Sequence, residues 1–206
     1  MLYPRQNKLI GGFFHHYVSW LIRRNFHGFK ANEIDIDPNR SVLLLANHFS
    51  WWDGFLLYWL NHTAIKKDYK VMVLEDTLRK NPILRYRGAY SVLKNSRSMI
   101  ESLKYTADLL SAPRNVVVVF PQARLYSNFV DDIHFESGLQ KIMKDAAGKF
   151  QFVFAATFIE NFQHKKPGAY VHLKVSNENF NDLGELKQAF DQHYREAKLQ
   201  QTQIVI

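Results

Sequence analysis

Apolar positions follow two different periods along this chain, and the switches between them predict its elements. Phe14, Tyr17, Val18, Leu21 and Ile22 recur at helical spacing within residues 13–22, while His15, Ser19 and Arg23 fall on other sides. Lys8, Arg23 and Arg24 give this amphipathic helix basic flanks. Residues 28–41 contain Asp35, Asp37, Pro38 and Asn39 and read as a polar turn. Apolar runs at 42–46, 116–120 and 151–159 read as strands, and the β-branched second run has the signature of burial on both faces. Further strands are expected at 70–74, 89–93 and 169–175, the last reached through a Lys-Lys-Pro-Gly turn. Met99, Leu103, Ala107 and Leu110 mark a helix over 96–110 that stops before Pro113. Residues 136–147 and 183–198 are also helical, whereas Pro82 interrupts the basic stretch 77–87.

Strands that alternate with helices predict an α/β fold, a single domain with a mostly parallel or mixed sheet flanked by helices. That domain spans residues 28–206. Residues 1–27 form an N-terminal element whose helix either covers the core with its apolar face or lies in a membrane interface. The chain has 206 residues, 47% of them apolar, which is enough for a substantial core and excludes a disordered chain. A net charge of +8 favours anionic partners: phosphates, nucleic acid or acidic lipid headgroups. Nucleic acid is not the expected partner, because there is no RNP-like or Gly-x-x-Gly motif and no dense Lys/Arg stripe. The absence of cysteine excludes disulfides and thiolate nucleophiles. The nine histidines lack ligand spacing, so neither a metal nor another bound cofactor is expected. No run approaches the roughly 20 apolar residues of a membrane span, and 10–22 is too short and lacks a cleavage site for a signal peptide. A cytoplasmic protein is the expectation.

Candidate chemistry centres on 42–54, Val-Leu-Leu-Leu-Ala-Asn-His-Phe-Ser-Trp-Trp-Asp-Gly, which reads as strand, polar turn and helix. With Ser50 as N-cap, Asp53 falls at the third helical position, and its side chain leans back toward the turn carrying His48. A carboxylate so placed can hold an imidazole in one tautomer and make it a general base. The same Ser-x-x-Asp spacing is also a capping box, and the local sequence leaves both readings open. In open α/β sheets ligands bind beyond the carboxyl ends of the strands. Asn47 and His48, Glu75, then Lys94, Asn95 and Arg97, and finally Gln122 and Arg124 collect at those ends. Such a rim suits an anionic, hydroxyl-bearing substrate.

Four blocks in register extend this picture. Asn47-His48-x-x-x-x-Asp53 resembles the His-x-x-x-x-Asp block of the glycerolipid acyltransferases, the lysophosphatidic acid acyltransferase superfamily. Gly88 to Lys94 resembles the family's Gly-x-x-x-Ile-x-Arg, Phe120-Pro121-Gln122-Ala123 stands where Phe-Pro-Glu-Gly is usual, and Phe135-x-x-Gly138 resembles Phe-Lys-x-Gly. The resemblance implies a glycerol-3-phosphate acyltransferase-like fold and an O-acyltransferase. In such an enzyme His48 is the general base on an acceptor hydroxyl and Asp53 its orienter, while Asn47, Lys94, Arg97, Pro121, Gln122 and Arg124 contact substrate. It implies an acyl-CoA or acyl carrier protein as donor, a lysolipid or related lipid as acceptor, and peripheral attachment to the inner face of a membrane with anionic lipids. Lys94 replaces an Arg, Gln122 a Glu and Ala123 a Gly, Arg124 comes one residue early, and the proline-rich fourth block is missing. These departures fall on acceptor recognition. A catalytically impaired lipid-binding protein of the same fold is the first alternative, and a basic nucleic-acid-binding module the weaker second.

Overall fold

The computed structural model describes residues 1–93, 97–146, 148 and 150–206, with Lys8 as backbone only. Lys94, Asn95 and Ser96 therefore lie outside the described residues, as do Ala147 and Lys149. In chain order the elements are α1 (Lys8–Asn25), β1 (Gly28–Ala31), β2 (Ser41–Ala46), α2 (Asp53–Leu60), β3 (Asp68–Leu74), α3 (Glu75–Lys80), β4 (Ala89–Val92), α4 (Arg97–Leu109), β5 (Asn115–Val119), α5 (Gly138–Ala146), β6 (Phe150–Glu160), β7 (Gly168–Ser176) and α6 (Leu183–Thr202). A π turn follows α2, and Pro82 opens a 3-10 turn after α3.

The seven strands form one mixed sheet in the order β1-β7-β6-β2-β5-β3-β4. All neighbours run parallel except β6 and β7, an antiparallel hairpin. β2 and β5 are buried at every position because both faces are covered. Leu43, Leu45, Val117 and Val119 pack toward α4, α5 and α6 with the Phe150, Phe152 and Phe154 side chains of β6. Their alternates Val42, Leu44, Val116 and Val118 pack on the opposite face against Leu57 and Leu60 of α2 and Leu78 of α3. Burial of each Leu or Val contributes about 1.5–3 kcal/mol, so these central strands anchor the turns that leave them.

The segment expected to be a polar turn instead contains β1, an edge strand paired in parallel with β7. Only Gly28 and Phe29 of its four residues are partly buried, so it carries no alternating pattern. On the helical side, Phe14, Val18, Ile22 and Phe26 bury against Leu56, Tyr58 and Ala169. The opposite stripe of α1, Leu9, Phe13, Tyr17 and Trp20, is exposed. The two faces of α1 thus do different things, one packing on α2 and the sheet and the other meeting solvent.

Candidate active site

β2 ends at Ala46, and the chain turns through Asn47, His48, Phe49 and Ser50 before α2 begins. Asn47 is buried and bridges two strands: its Nδ2 donates to the Thr157 carbonyl at 3.0 Å, and its Oδ1 accepts the Thr157 N–H at 2.8 Å. The amide therefore fastens the end of β2 to β6 and starts the turn from a fixed point.

His48 Nδ1 lies 2.8 Å from Asp53 Oδ2. The same oxygen accepts the Phe49 N–H at 2.8 Å and the Ser50 N–H at 2.9 Å. Three donors on one oxygen is a carboxylate pattern, and the Asp53 acceptor assigns the ring proton to Nδ1. Nε2 then carries the free lone pair, and among the described residues it has no partner. The His48 side chain is 25% exposed against 1% for Asp53, so the imidazole faces outward from a buried carboxylate. The imidazole also stacks on Phe120 at the end of β5, with ring centroids 4.2 Å apart and planes inclined by 21°.

The His48–Asp53 pair and the capping box thus coincide. Ser50 Oγ accepts the Trp52 N–H at 3.2 Å while Asp53 reaches back to the Ser50 N–H. Regular α-helix nevertheless starts at Asp53 itself rather than just after Ser50, because the Asp53 N–H bonds the Ser50 carbonyl in a tight three-residue turn. Asp53 is the first residue of the helix instead of the third, and its contact with His48 does not depend on the count.

The adjacent strand β5 supplies the second half of the site. Pro121 and Gln122 are buried, and Gln122 Oε1 accepts the His48 main-chain N–H at 2.6 Å. Tyr126 N–H donates to the His48 carbonyl at 2.9 Å, so the loop after β5 grips the His48 peptide from both sides. Ala123, where the resembled block has Gly, sits at φ +51°, the left-handed region in which a Cβ is strained. Gly88 of the second block is at φ +87°, and a Cβ there would stand 1.9 Å from the Tyr69 carbonyl oxygen. That glycine is a requirement of β3–β4 backbone packing.

The structure gathers Asn47, His48, Asp53, Pro121 and Gln122 into one cluster. Arg124 is exposed two residues beyond Gln122, and Arg97 is exposed at the start of α4. The strand leading to Arg97 and Lys94 lies three strand spacings from β2, roughly 14 Å across the rim; Lys94 itself is outside the described residues. Glu75 takes no part in the cluster: its carboxyl bonds Arg79 at 2.6 Å and Ser91 at 2.9 Å. Arg79 first and Ser91 second hold that carboxyl below the ordinary range, against the opposing effect of burial. Sequence spacing missed the Gln122 tie, which joins positions 74 residues apart.

A profile of the acyltransferase family matches residues 24–159, and the chain belongs to that family. The crystal structure of the 1-acyl-sn-glycerophosphate (LPA) acyltransferase, PlsC, from Thermotoga maritima is similar with a TM-score of 0.62. The alignment has 18% sequence identity and covers 97% of this chain and 81% of that one, a likeness of fold. No curated protein sequence matches the chain.

Proposed function

We propose that the protein transfers a fatty acyl group from an acyl thioester, acyl-CoA or acyl carrier protein, to a hydroxyl of a lysolipid or related lipid. The observation that carries this reading is the 2.8 Å bond from His48 Nδ1 to buried Asp53, which leaves Nε2 turned outward. Nε2 takes the acceptor's hydroxyl proton as the oxygen attacks the thioester carbonyl carbon. A C–O bond forms, and the carbonyl π pair moves onto oxygen. Collapse of this tetrahedral oxyanion breaks the C–S bond, and the departing thiolate takes the proton from imidazolium. Asp53 stays a carboxylate throughout and stabilises the imidazolium it faces. Atoms and charge balance without a covalent enzyme intermediate or a bound cofactor.

The exposed stripe of α1 supports peripheral attachment to a membrane. Leu9, Phe13, Tyr17 and Trp20 follow one another at helical intervals, and Arg23 and Arg24 close the helix beside them. The Arg24 guanidinium lies 5.0 Å over the Trp20 ring, which keeps a cation and an aromatic at one depth. Among the described residues no helix is long and apolar enough to cross a membrane.

The test is mass spectrometry of lipid products after incubation with acyl-CoA or acyl carrier protein thioesters and a lysolipid panel differing in headgroup. A new acylated lipid identifies donor and acceptor together. Tight lipid binding with no acyl transfer from any donor would instead establish the lipid-binding alternative.

A further inference from the structure

A tetrahedral oxyanion formed beside His48 needs hydrogen-bond donors, and several main-chain N–H groups around the imidazole are already engaged. The Phe49 and Ser50 N–H groups point at Asp53 Oδ2, and that of Trp52 at Ser50 Oγ. The Tyr126 N–H is held by the His48 carbonyl and the Ala123 N–H by the Phe120 carbonyl. His48 N–H itself goes to Gln122. Arg124 is exposed, and a solvated cation is a weak, salt-screened substitute.

Gln122 remains. His48 N–H can only donate, so the oxygen of the Gln122 amide must face it and the NH2 must face away. This fixes which end of the amide is which. Oε1 lies 2.6 Å from His48 N, and the amide nitrogen is bonded to the same carbon, so Nε2 stands within about 5 Å of the His48 backbone. The side chain is 1% exposed, and among the described residues no acceptor binds Nε2. A preoriented and unused N–H donor thus sits close to the His48 main chain. The Glu of the resembled block, as a carboxylate, could accept from His48 N–H equally well but would have no hydrogen to give.

We propose that Gln122 is a catalytic residue of this chain, its Nε2 donating to the oxyanion of the tetrahedral intermediate while its Oε1 tethers the His48 turn. The proposal rests on the acyl-transfer reading. It separates two functions of one amide, and Gln122→Glu divides them: the glutamate keeps an acceptor for His48 N–H and removes the donor.

The experiment measures thiol release from acyl-CoA with a lysolipid acceptor for wild type, Gln122→Glu, Gln122→Ala and His48→Ala. Rates are taken on the pH plateau of each protein, so that a charge-induced change in the titration of His48 is read separately from the limiting rate. Loss of one oxyanion donor lowers kcat by about 10²–10³. The expected result is a fall of that size in Gln122→Glu, with KM for the thioester changed less than about threefold on the reasoning that the donor acts in the transition state. Should Gln122→Ala fail to fold, Gln122→Glu carries the test alone, since it retains the tether. A Gln122→Glu plateau kcat within threefold of wild type, or a loss confined to KM, overturns the donor role while His48→Ala inactivity preserves the acyl-transfer reading. Wild type that releases no thiol beyond the His48→Ala background overturns both.

Discussion

Asp53→Asn isolates the interaction on which both the turn and the proposed chemistry depend. The amide oxygen can replace Oδ2 and still face the Phe49 and Ser50 N–H groups, but without charge. Hydrogen bonds to a charged group contribute about 1.5–3 kcal/mol and neutral ones about 0.5–1.5, so two weakened backbone bonds cost about 2 kcal/mol. The new NH2 falls where Oδ1 is buried with no partner among the described residues. An unsatisfied buried donor costs about 1–3 kcal/mol, part of which is offset because a buried charge has been removed. The net expectation is a loss of roughly 2–3 kcal/mol by chemical denaturation, within the usual range for a broken buried network. The effect on rate should be larger. If the amide turns its NH2 toward Nδ1, the imidazole proton moves to Nε2, the nitrogen that acts as base in the proposed transfer. Loss of the orienting carboxylate then lowers kcat by about 10³–10⁴, as in other Asp-oriented histidines. Thiol release can be followed with a thiol-reactive dye without protein background, because the chain has no cysteine. A folded Asp53→Asn protein working within threefold of the wild-type rate would refute the reasoning.

Three further outcomes follow from individual backbone and burial features. Ala123→Gly relieves a residue at φ +51°; the relief of about 1–2 kcal/mol is reduced by glycine's greater unfolded-state entropy of about 0.4–1 kcal/mol, so the denaturation midpoint should rise modestly, and a lower midpoint would contradict the strain. Gly88→Ala drives a Cβ into the Tyr69 carbonyl and should cost at least about 3 kcal/mol or prevent folding, whereas a wild-type melting temperature would show that β3 and β4 are not locked there. Burial pushes His193 down from an ordinary 6.5 to about 4, so the unfolded chain binds its proton more readily. Stability from this group is therefore complete above about 6.5 and is lost as pH falls from there toward 4, up to about 3 kcal/mol in all. His193→Gln should flatten that acid limb of the stability curve, and an unchanged limb would remove the assignment.

The strand-turn-helix at 42–54 was readable because β2 is apolar on both faces and stops abruptly at two polar residues. Gly88 and Ala123 were readable as special positions because a resembled block carries glycine at both, and the structure supplies the reasons, a close carbonyl approach and a left-handed φ. What sequence could not supply is the part held by distant main chain. Asn47 reads locally as a turn or substrate-facing residue, yet both ends of its amide meet Thr157, 110 positions away. Gln122 looks like a lost carboxylate until its oxygen is seen on the His48 N–H. β1 was missed because an edge strand with two exposed residues has no hydrophobic period to detect.

The central claim is that His48 Nε2 removes the acceptor proton. It is tested most directly by single-turnover acyl transfer from a labelled acyl thioester to the lysolipid identified by mass spectrometry, comparing wild type with folded His48→Ala. The account predicts loss of product formation by a factor of about 10³ or more, since both base and oriented proton carrier are gone. Transfer by His48→Ala at the wild-type rate would contradict it.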